Sequence, residues 1–137
     1  MQKTIAILII TLVILSSCKS KYEDCTDQDY ANCETEKPQT GRITILLSIN
    51  QENPYVPVRL YEGNFENGRL VREDTIRMRT FNYFLTPEKD YSFKATYKDG
   101  TSTVLAINGG RIKVSTYRMC ELRCYEVNNL EIDLRLH

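Results

Sequence analysis

Enzymatic hydrolysis needs a nucleophile beside a base, and this sequence offers few candidates for the base. Hydroxyl and thiol nucleophiles are most often activated by histidine, and the single histidine is the last residue, His137. Carboxylate pairs could act instead, but the acids of residues 41–137 lie mostly in turns or at polar strand positions. Gly109-Gly110 is expected to form a hairpin turn rather than a phosphate-binding loop. We predict a protein that is not an enzyme, with no catalytic residue and no cofactor.

Cysteine is the second reactive residue type, and Cys18 closes a hydrophobic N-terminal run. The run from Thr4 to Leu15 follows Lys3 and contains no charged residue. It is too short to span a bilayer, which takes about 20 apolar residues, but has the length of a signal-peptide core. A cleaved secretory signal with an incidental cysteine is one interpretation, although the usual Ala-x-Ala site is missing.

The stretch Ile14-Leu15-Ser16-Ser17-Cys18 resembles the lipobox of bacterial lipoproteins. In that family the cysteine receives a diacylglyceryl thioether, becomes the first residue of the mature chain and is then N-acylated, for example with palmitate. The resemblance implies that residues 1–17 are a cleaved signal peptide and that Cys18 carries the lipid. Lys19 avoids the aspartate that retains some lipoproteins in the inner membrane, so we expect an anchor in the outer membrane.

The other four cysteines are Cys25, Cys33, Cys120 and Cys124. In an exported chain an even number indicates disulfides, and four cysteines allow three pairings. Zinc sites usually show Cys-x2–4-Cys spacing twice. Cys120-x3-Cys124 fits that spacing and Cys25-x7-Cys33 does not, so we predict disulfides and no metal.

The spacing of these cysteines also favours one kind of pairing. Cys120 and Cys124 would lie about 13 Å apart in a continuous strand, beyond the roughly 4.4–6.8 Å that a disulfide spans between Cα atoms. Glu121-Leu122-Arg123 lacks a residue that favours a turn. We therefore predict that Cys25 and Cys33 each bond to one of Cys120 and Cys124, stabilising the domain by about 3–5 kcal/mol per loop. A bond from Cys25 would shorten the tether that follows Cys18 from about 80 Å to about 25 Å at full stretch.

Length and charge allow one domain and exclude a charge-driven partner. The chain has 137 residues, with 18 basic and 18 acidic ones, which suits a single modest core and offers no basic face for nucleic acid. Residues 18–40 are acidic and lack hydrophobic periodicity, so we expect a flexible tether without a fold element. Residues 41–137 form the predicted domain.

Period-two alternation of apolar residues predicts an all-β domain. The clearest strand alternates Tyr91, Phe93, Ala95 and Tyr97 with polar residues. Seven or eight such strands, without helical periodicity, indicate a small antiparallel β-sandwich. Tight turns are predicted at Asn67-Gly68, with type I′ geometry, at Lys98-Asp99-Gly100 and at Asn108-Gly109-Gly110. The strand from Arg69 to about Arg79 needs a bulge or a break, because Arg72 and Asp74 share the parity of its apolar residues.

Two segments carry a family resemblance within this domain. Phe81-Asn82-Tyr83-Phe84-Leu85-Thr86-Pro87 and Tyr91-Ser92-Phe93-Lys94-Ala95-Thr96-Tyr97 resemble the repeat of carboxypeptidase-regulatory-like, transthyretin-type domains. The glycine that usually follows the proline is absent. The resemblance implies a transthyretin-like rather than an immunoglobulin-like sandwich. The stretch from Ile107 to Leu136 is similar to small lipoproteins of the Bacteroidetes type, which implies the outer membrane and no activity.

Tyrosine is the most frequent aromatic residue, with nine copies and no tryptophan. Tyr55, Tyr61, Tyr117 and Tyr125 are expected near strand ends or loops, where they either bind a partner or cap the ends of the core. Asp74-Thr75-Ile76 resembles the three-residue O-glycosylation signal of exported Bacteroidetes proteins, which implies a sugar on Thr75.

Two functions are compatible with these features. The stretch that contains Asn50, Pro54 and Val56-Pro57-Val58-Arg59-Leu60-Tyr61 resembles the transthyretin-like lipoprotein of type VI secretion systems, whose loops recruit an inner-membrane partner. It implies a module that docks onto another envelope protein. The alternative is a surface-exposed binder of glycan or host protein that uses the tyrosines. A small-molecule ligand is not expected.

Overall fold

The fold is an all-β sandwich, as the sequence predicts, described for residues 25–137 in a computed structural model. A three-stranded sheet and a four-stranded sheet enclose the core, and a two-stranded hairpin is attached to them. The described residues contain one short helix, α1 (Asp27–Ala31), and nine strands: β1 (Gly41–Leu46), β2 (Val56–Glu62), β3 (Arg69–Ile76), β4 (Thr80–Leu85), β5 (Asp90–Asp99), β6 (Ser102–Arg111), β7 (Lys113–Met119), β8 (Leu122–Asn128) and β9 (Leu130–Asp133).

The three-stranded sheet has the order β4-β1-β9. Ile43 of β1 lies opposite Tyr83 of the antiparallel β4 and opposite Leu130 of β9. The β1–β9 ladder is parallel, unlike the antiparallel sandwich that we predict. Parallel neighbours need a long connection, and here most of the chain lies between them.

The four-stranded sheet has the order β3-β2-β5-β6, and its neighbouring strands are antiparallel. Residues 100–101 join β5 to β6, which confirms the predicted turn there. Gly100 has a φ of 59°, a backbone conformation that glycine adopts without steric cost.

Aromatic side chains join the two sheets across the core. The ring centroids of Tyr83 on β4 and Phe93 on β5 are 5.4 Å apart. Tyr97 is 1% exposed, and its hydroxyl donates to the Leu134 carbonyl at 2.8 Å and accepts from the Ser48 amide at 3.2 Å. These bonds tie β5 to the segments that follow β1 and β9. The other buried core residues are Ile43, Ile45, Leu47, Val56, Val58, Leu60, Ile76, Tyr91, Ala95, Ile112, Ile132 and Leu134.

The connection between β2 and β3 differs from the predicted type I′ turn. The strands are antiparallel, but residues 63–68 connect them, and among these only Gly63 has a positive φ. A Cβ atom on Gly68 would overlap the Asn64 carbonyl, so close packing, not a left-handed conformation, requires this glycine.

A bulge lies in β3, as one of the two predicted alternatives requires. Leu60 pairs with Arg72 and Tyr61 with Leu70, which leaves Val71 without a partner. The extra residue resets which side chains face the core, so Leu70 is exposed whereas Ile76 is buried.

The predicted turn at Asn108-Gly109-Gly110 is wrong. β6 continues through these residues, and Gly109 and Gly110 pair with Ser92 and Tyr91 of β5. A Cβ atom on Gly109 would overlap the Tyr91 carbonyl, and one on Gly110 would lie 2.5 Å from a methyl group of Leu130. Glycine here allows close packing inside a strand. β7 therefore pairs with β8 and not with β6.

The tail before β1, predicted to hold no fold element, contains α1. The Thr26 hydroxyl accepts from the Asp29 amide at 3.4 Å, and the Asp29 carboxylate accepts from the Thr26 amide at 2.8 Å. This reciprocal capping box starts the helix. A helix of one turn is too short to persist alone, and we attribute its stability to Cys25 and Cys33, which flank it.

Candidate functional site

Two disulfides fix the tail to the β7–β8 hairpin. Cys25 bonds to Cys120 and Cys33 to Cys124, with Cα separations of 6.1 and 5.1 Å. This confirms the predicted pairing of each tail cysteine with one of Cys120 and Cys124.

One premise of that prediction is wrong. A tight turn does separate Cys120 from Cys124, because residues 120–121 join β7 to β8. Cys120 itself has a φ of 57°. Left-handed backbone costs a residue with a side chain about 1–2 kcal/mol, which is less than a disulfide contributes. Local turn preference therefore does not decide the conformation here.

We call residues 25–40 together with β7 and β8 the tail arm. The Tyr125 amide donates to the Glu34 carbonyl at 2.8 Å, and the Tyr117 hydroxyl donates to the Asn32 carbonyl at 3.4 Å. Cys124 is fully buried under the tail. Two bridges, one backbone bond and one side-chain bond thus hold the tail against the β7–β8 hairpin.

The tail arm is attached at the end of the sandwich where β1 begins. The Arg42 amide donates to the Asn129 side chain at 2.9 Å, and the Val114 amide donates to the Glu88 carboxylate at 2.6 Å. β7 and β8 form a ladder only with each other among the described strands, and most of their side chains are exposed. The arm therefore projects from this end, and Cys120 lies at its tip, about 23 Å along β7.

Loop 50–55 lies at the opposite end, between β1 and β2, and Asn53 fixes its position. The Asn53 side chain is buried; its amide nitrogen donates to the Lys98 carbonyl at 3.0 Å, and its oxygen accepts from the Lys98 amide at 2.7 Å. The backbone amide of Asn53 donates to Asn50 Oδ1 at 2.7 Å, and the backbone amide of Gly100 donates to the Glu52 carboxylate at 2.6 Å. The Asn53 side-chain amide thus takes the place of a backbone peptide group next to β5. It does so at a position that lies before the start of β2.

This loop forms one wall of a concave site of about 320 Å³ on the outer face of the four-stranded sheet. Apolar rings of Pro54, Tyr55 and Pro57 line it beside the polar Gln51, Lys98 and Thr103. Tyr55 is 45% exposed, so its ring is available to a ligand. Tyr97 also borders the site, but its hydroxyl lies in the core, where burial raises its pKa.

The four tyrosines singled out from the sequence do not form one surface. Tyr55 lines the concave site, whereas Tyr117 and Tyr125 belong to the tail arm. Tyr61 lies near the other end of β2, opposite Ser92. Asn53 and the wall that it holds were not predicted, because the sequence of loop 50–55 contains no signal beyond its turn-forming residues.

Thr75, the predicted glycosylation position, is exposed on β3 opposite Pro57. Its neighbour Asp74 accepts a hydrogen bond from the Tyr83 hydroxyl at 2.9 Å and forms an ion pair with Arg72 at 2.8 Å. Burial, reinforced by this carboxylate, raises the pKa of Tyr83. Thr75 is thus accessible, and its modification stays a prediction.

His137 lies in the open, with its Nε2 atom 3.7 Å from Asp133 Oδ2. The hydrogen bond from Arg135 holds the pKa of Asp133 below its usual range, so this carboxylate stays ionised at neutral pH. Within residues 25–137, no three His, Cys, Asp or Glu side chains come together as candidate metal ligands.

The predicted signal peptide and Cys18 lie outside the described residues. No helix of residues 25–137 is long and apolar enough to cross a membrane. In comparisons with known proteins, no family model matches the chain, and no curated protein and no solved structure matches it either. The transthyretin-type and lipoprotein resemblances therefore stay predictions.

Proposed function

We propose that this chain is a non-enzymatic lipoprotein that is anchored in the outer membrane through Cys18 and docks onto another envelope protein, such as a secretion-system component. The observation that carries the proposal is the position of the two cysteine pairs relative to the concave site. The tail is held at one end of the sandwich, and loop 50–55 lies at the other.

The first bridge limits how far the domain can lie from the lipid. The segment from Cys18 to Cys25 is about seven residues long, and when fully extended it reaches at most about 25 Å. Because Cys25 is bonded to the tip of the tail arm, the arm is the part of the domain that would lie nearest the membrane. The concave site would then face away from the bilayer, where a partner protein can reach it.

The anchor is tested by Cys18→Ala with the full chain. Two or three acyl chains supply most of the membrane affinity that we assign to this protein. Each buried methylene contributes about 0.8 kcal/mol of binding free energy. We expect the variant to remain unprocessed or to appear in the soluble fraction, whereas Ser20→Ala, a nearby substitution outside the lipobox, serves as the control and keeps the lipid. A processed Cys18→Ala protein that still sediments quantitatively with membranes would contradict the anchor.

Docking is tested at the concave site. We expect Tyr55→Ala to reduce copurification of the envelope partner from detergent-solubilised membranes, because the variant removes the exposed ring of the site. Tyr61→Ala, at the other end of β2, is the matched control. Equal recovery of the partner with both variants would contradict a role for this site.

A surface-exposed glycan binder is the second candidate function. It is favoured by the exposed Tyr55 ring beside the polar Gln51 and Lys98, since sugars stack on aromatic rings and bond to polar groups. Protease treatment of intact cells separates the two: digestion of the domain indicates a surface binder, and survival indicates a module that faces the periplasm.

A further inference from the structure

Residues 103–107 of β6 form an open sheet edge. Among the strands of residues 25–137, β6 pairs with β5 alone. The backbone groups of Lys98 bond to Asn53, on the side of β5 away from β6, so the pair Lys98 and Thr103 is a non-hydrogen-bonded one. Hydrogen-bonded and non-hydrogen-bonded pairs alternate along an antiparallel ladder. The N–H and C=O groups of Thr103, Leu105 and Ile107 therefore point away from β5. No backbone or side-chain bond outside the ladder reaches them among the described residues.

The two edges of the four-stranded sheet differ in their protection. β3, at the other edge, has a bulge and four charged residues in the sequence RLVREDTI. Residues 102–110 of β6 contain no charge and no proline. Proteins usually protect exposed edges with such devices, since an open edge accepts another strand.

The outer face of this edge is also apolar. Leu105 is 50% exposed and Ile107 is 40% exposed, and both side chains lie on the face that contains Thr103 and the concave site. An added strand would cover these side chains with its own through cross-strand contacts. The open edge and the concave site are thus parts of one continuous surface.

We propose that residues 103–107 of β6 bind an extended segment of the partner protein, which adds to the four-stranded sheet as a fifth strand. The proposal rests on the proposed docking function and names its contact surface. The three outward residues supply N–H and C=O groups to the segment, and Leu105 and Ile107 select apolar residues at alternate positions. Beyond Thr103 the segment reaches the concave site, where Tyr55 contacts its next side chain.

A second copy of this chain fits the same edge less well. Two copies that pair symmetrically through β6 run antiparallel, and their tail arms then lie at opposite ends of the dimer. Two lipids in one membrane would require both arms at the same side. A heterologous segment has no such constraint, so the occupant that we infer is the partner and not a copy.

Photo-crosslinking in cells identifies the occupant. Benzoylphenylalanine replaces Leu105 in the full chain and, as the matched control, Leu70, which is 49% exposed on the other edge. We expect crosslinks from position 105 to one segment of a different envelope protein, with apolar residues at every second position, and no such product from position 70. Crosslinks only between copies of this chain, or equal products from both positions, would overturn the proposal.

A synthetic peptide of the mapped segment then tests the binding mode. It should slow hydrogen exchange at the amides of Thr103, Leu105 and Ile107 in the domain. Leu105→Pro, which removes one outward donor, should weaken peptide binding by about fivefold or more, and Leu105→Lys should do so without changing the backbone. Leu70→Lys should bind like the unaltered chain. Peptide binding that leaves the three amides unprotected would refute strand addition.

These outcomes are independent of the anchor. Should Cys18→Ala still sediment as a processed protein, the proposed anchoring fails, while crosslinks from position 105 and amide protection would still establish strand addition. Conversely, lipid anchoring with no contact at position 105 leaves the proposed function in place and removes β6 as its docking surface.

Discussion

Removing one disulfide should cost much less than removing both. The bonded cysteines are 95 and 91 residues apart in sequence, so either bridge alone restricts the unfolded chain by about 4.6 kcal/mol. Once one bridge is present, the second closes a loop of only about 12 residues, worth about 3 kcal/mol. We expect Cys25→Ala with Cys120→Ala to lower the free energy of unfolding by about 3 kcal/mol, and replacement of all four cysteines to lower it by about 7–8 kcal/mol.

Urea unfolding followed by circular dichroism measures both values on a soluble chain that begins at residue 19. The values are upper limits, because a released tail regains conformational entropy in the folded state. Cys124 is fully buried, so replacing Cys33 and Cys124 should cost slightly more than replacing Cys25 and Cys120. The reasoning is refuted if the Cys25 and Cys120 variant loses as much stability as the fourfold variant, since that result means that Cys25 and Cys120 belong to different bridges and not to the same one.

Three further predictions concern the sandwich. Tyr97→Phe leaves the Leu134 carbonyl and the Ser48 amide without their partner and should lower the free energy of unfolding by about 2–3 kcal/mol; Tyr55→Phe, at an exposed ring, should change it by less than about 0.5 kcal/mol. Gly110→Ala should cost about 1–3 kcal/mol through contact with Leu130, whereas no loss in urea unfolding would mean that this part of β6 is not packed as described. An intact-mass measurement of the mature protein should show an added sugar that Thr75→Ala removes, and a mass explained by the polypeptide and its lipid alone would contradict modification at Thr75.

Alternation of side chains predicted the strands well because burial of one face depends only on period two. Ile43, Val58 and Phe93 are all buried where the pattern places them. Glycine was less informative, since it is needed for two different reasons. Gly100 is in a turn with a positive φ, whereas Gly110 packs against Leu130 of β9, in the other sheet. The sequence near each glycine does not distinguish these causes, because the contact at Gly110 is made by a residue far along the chain.

The cysteine pairing was predictable even though the turn at Cys120 was not. A bridge is favoured by chain connectivity over the whole domain, and its contribution exceeds the cost of one unfavourable backbone conformation. The candidate site shows the reverse situation. Asn53 acts through two bonds to Lys98, and only the register of β5 places these groups within reach. A polar residue in a loop gives no sign of that register.

The tail arm affects how readily the concave site would meet a partner. With both bridges, the tether, the arm and the length of β5 limit the site to within about 80 Å of the lipid, whereas an unbridged tail would allow about 110 Å. A shorter and stiffer connection raises the effective concentration of the site for a partner held in the same envelope, provided that the connection spans the distance. The same bridges that stabilise the fold would therefore strengthen docking without contributing any contact to the partner.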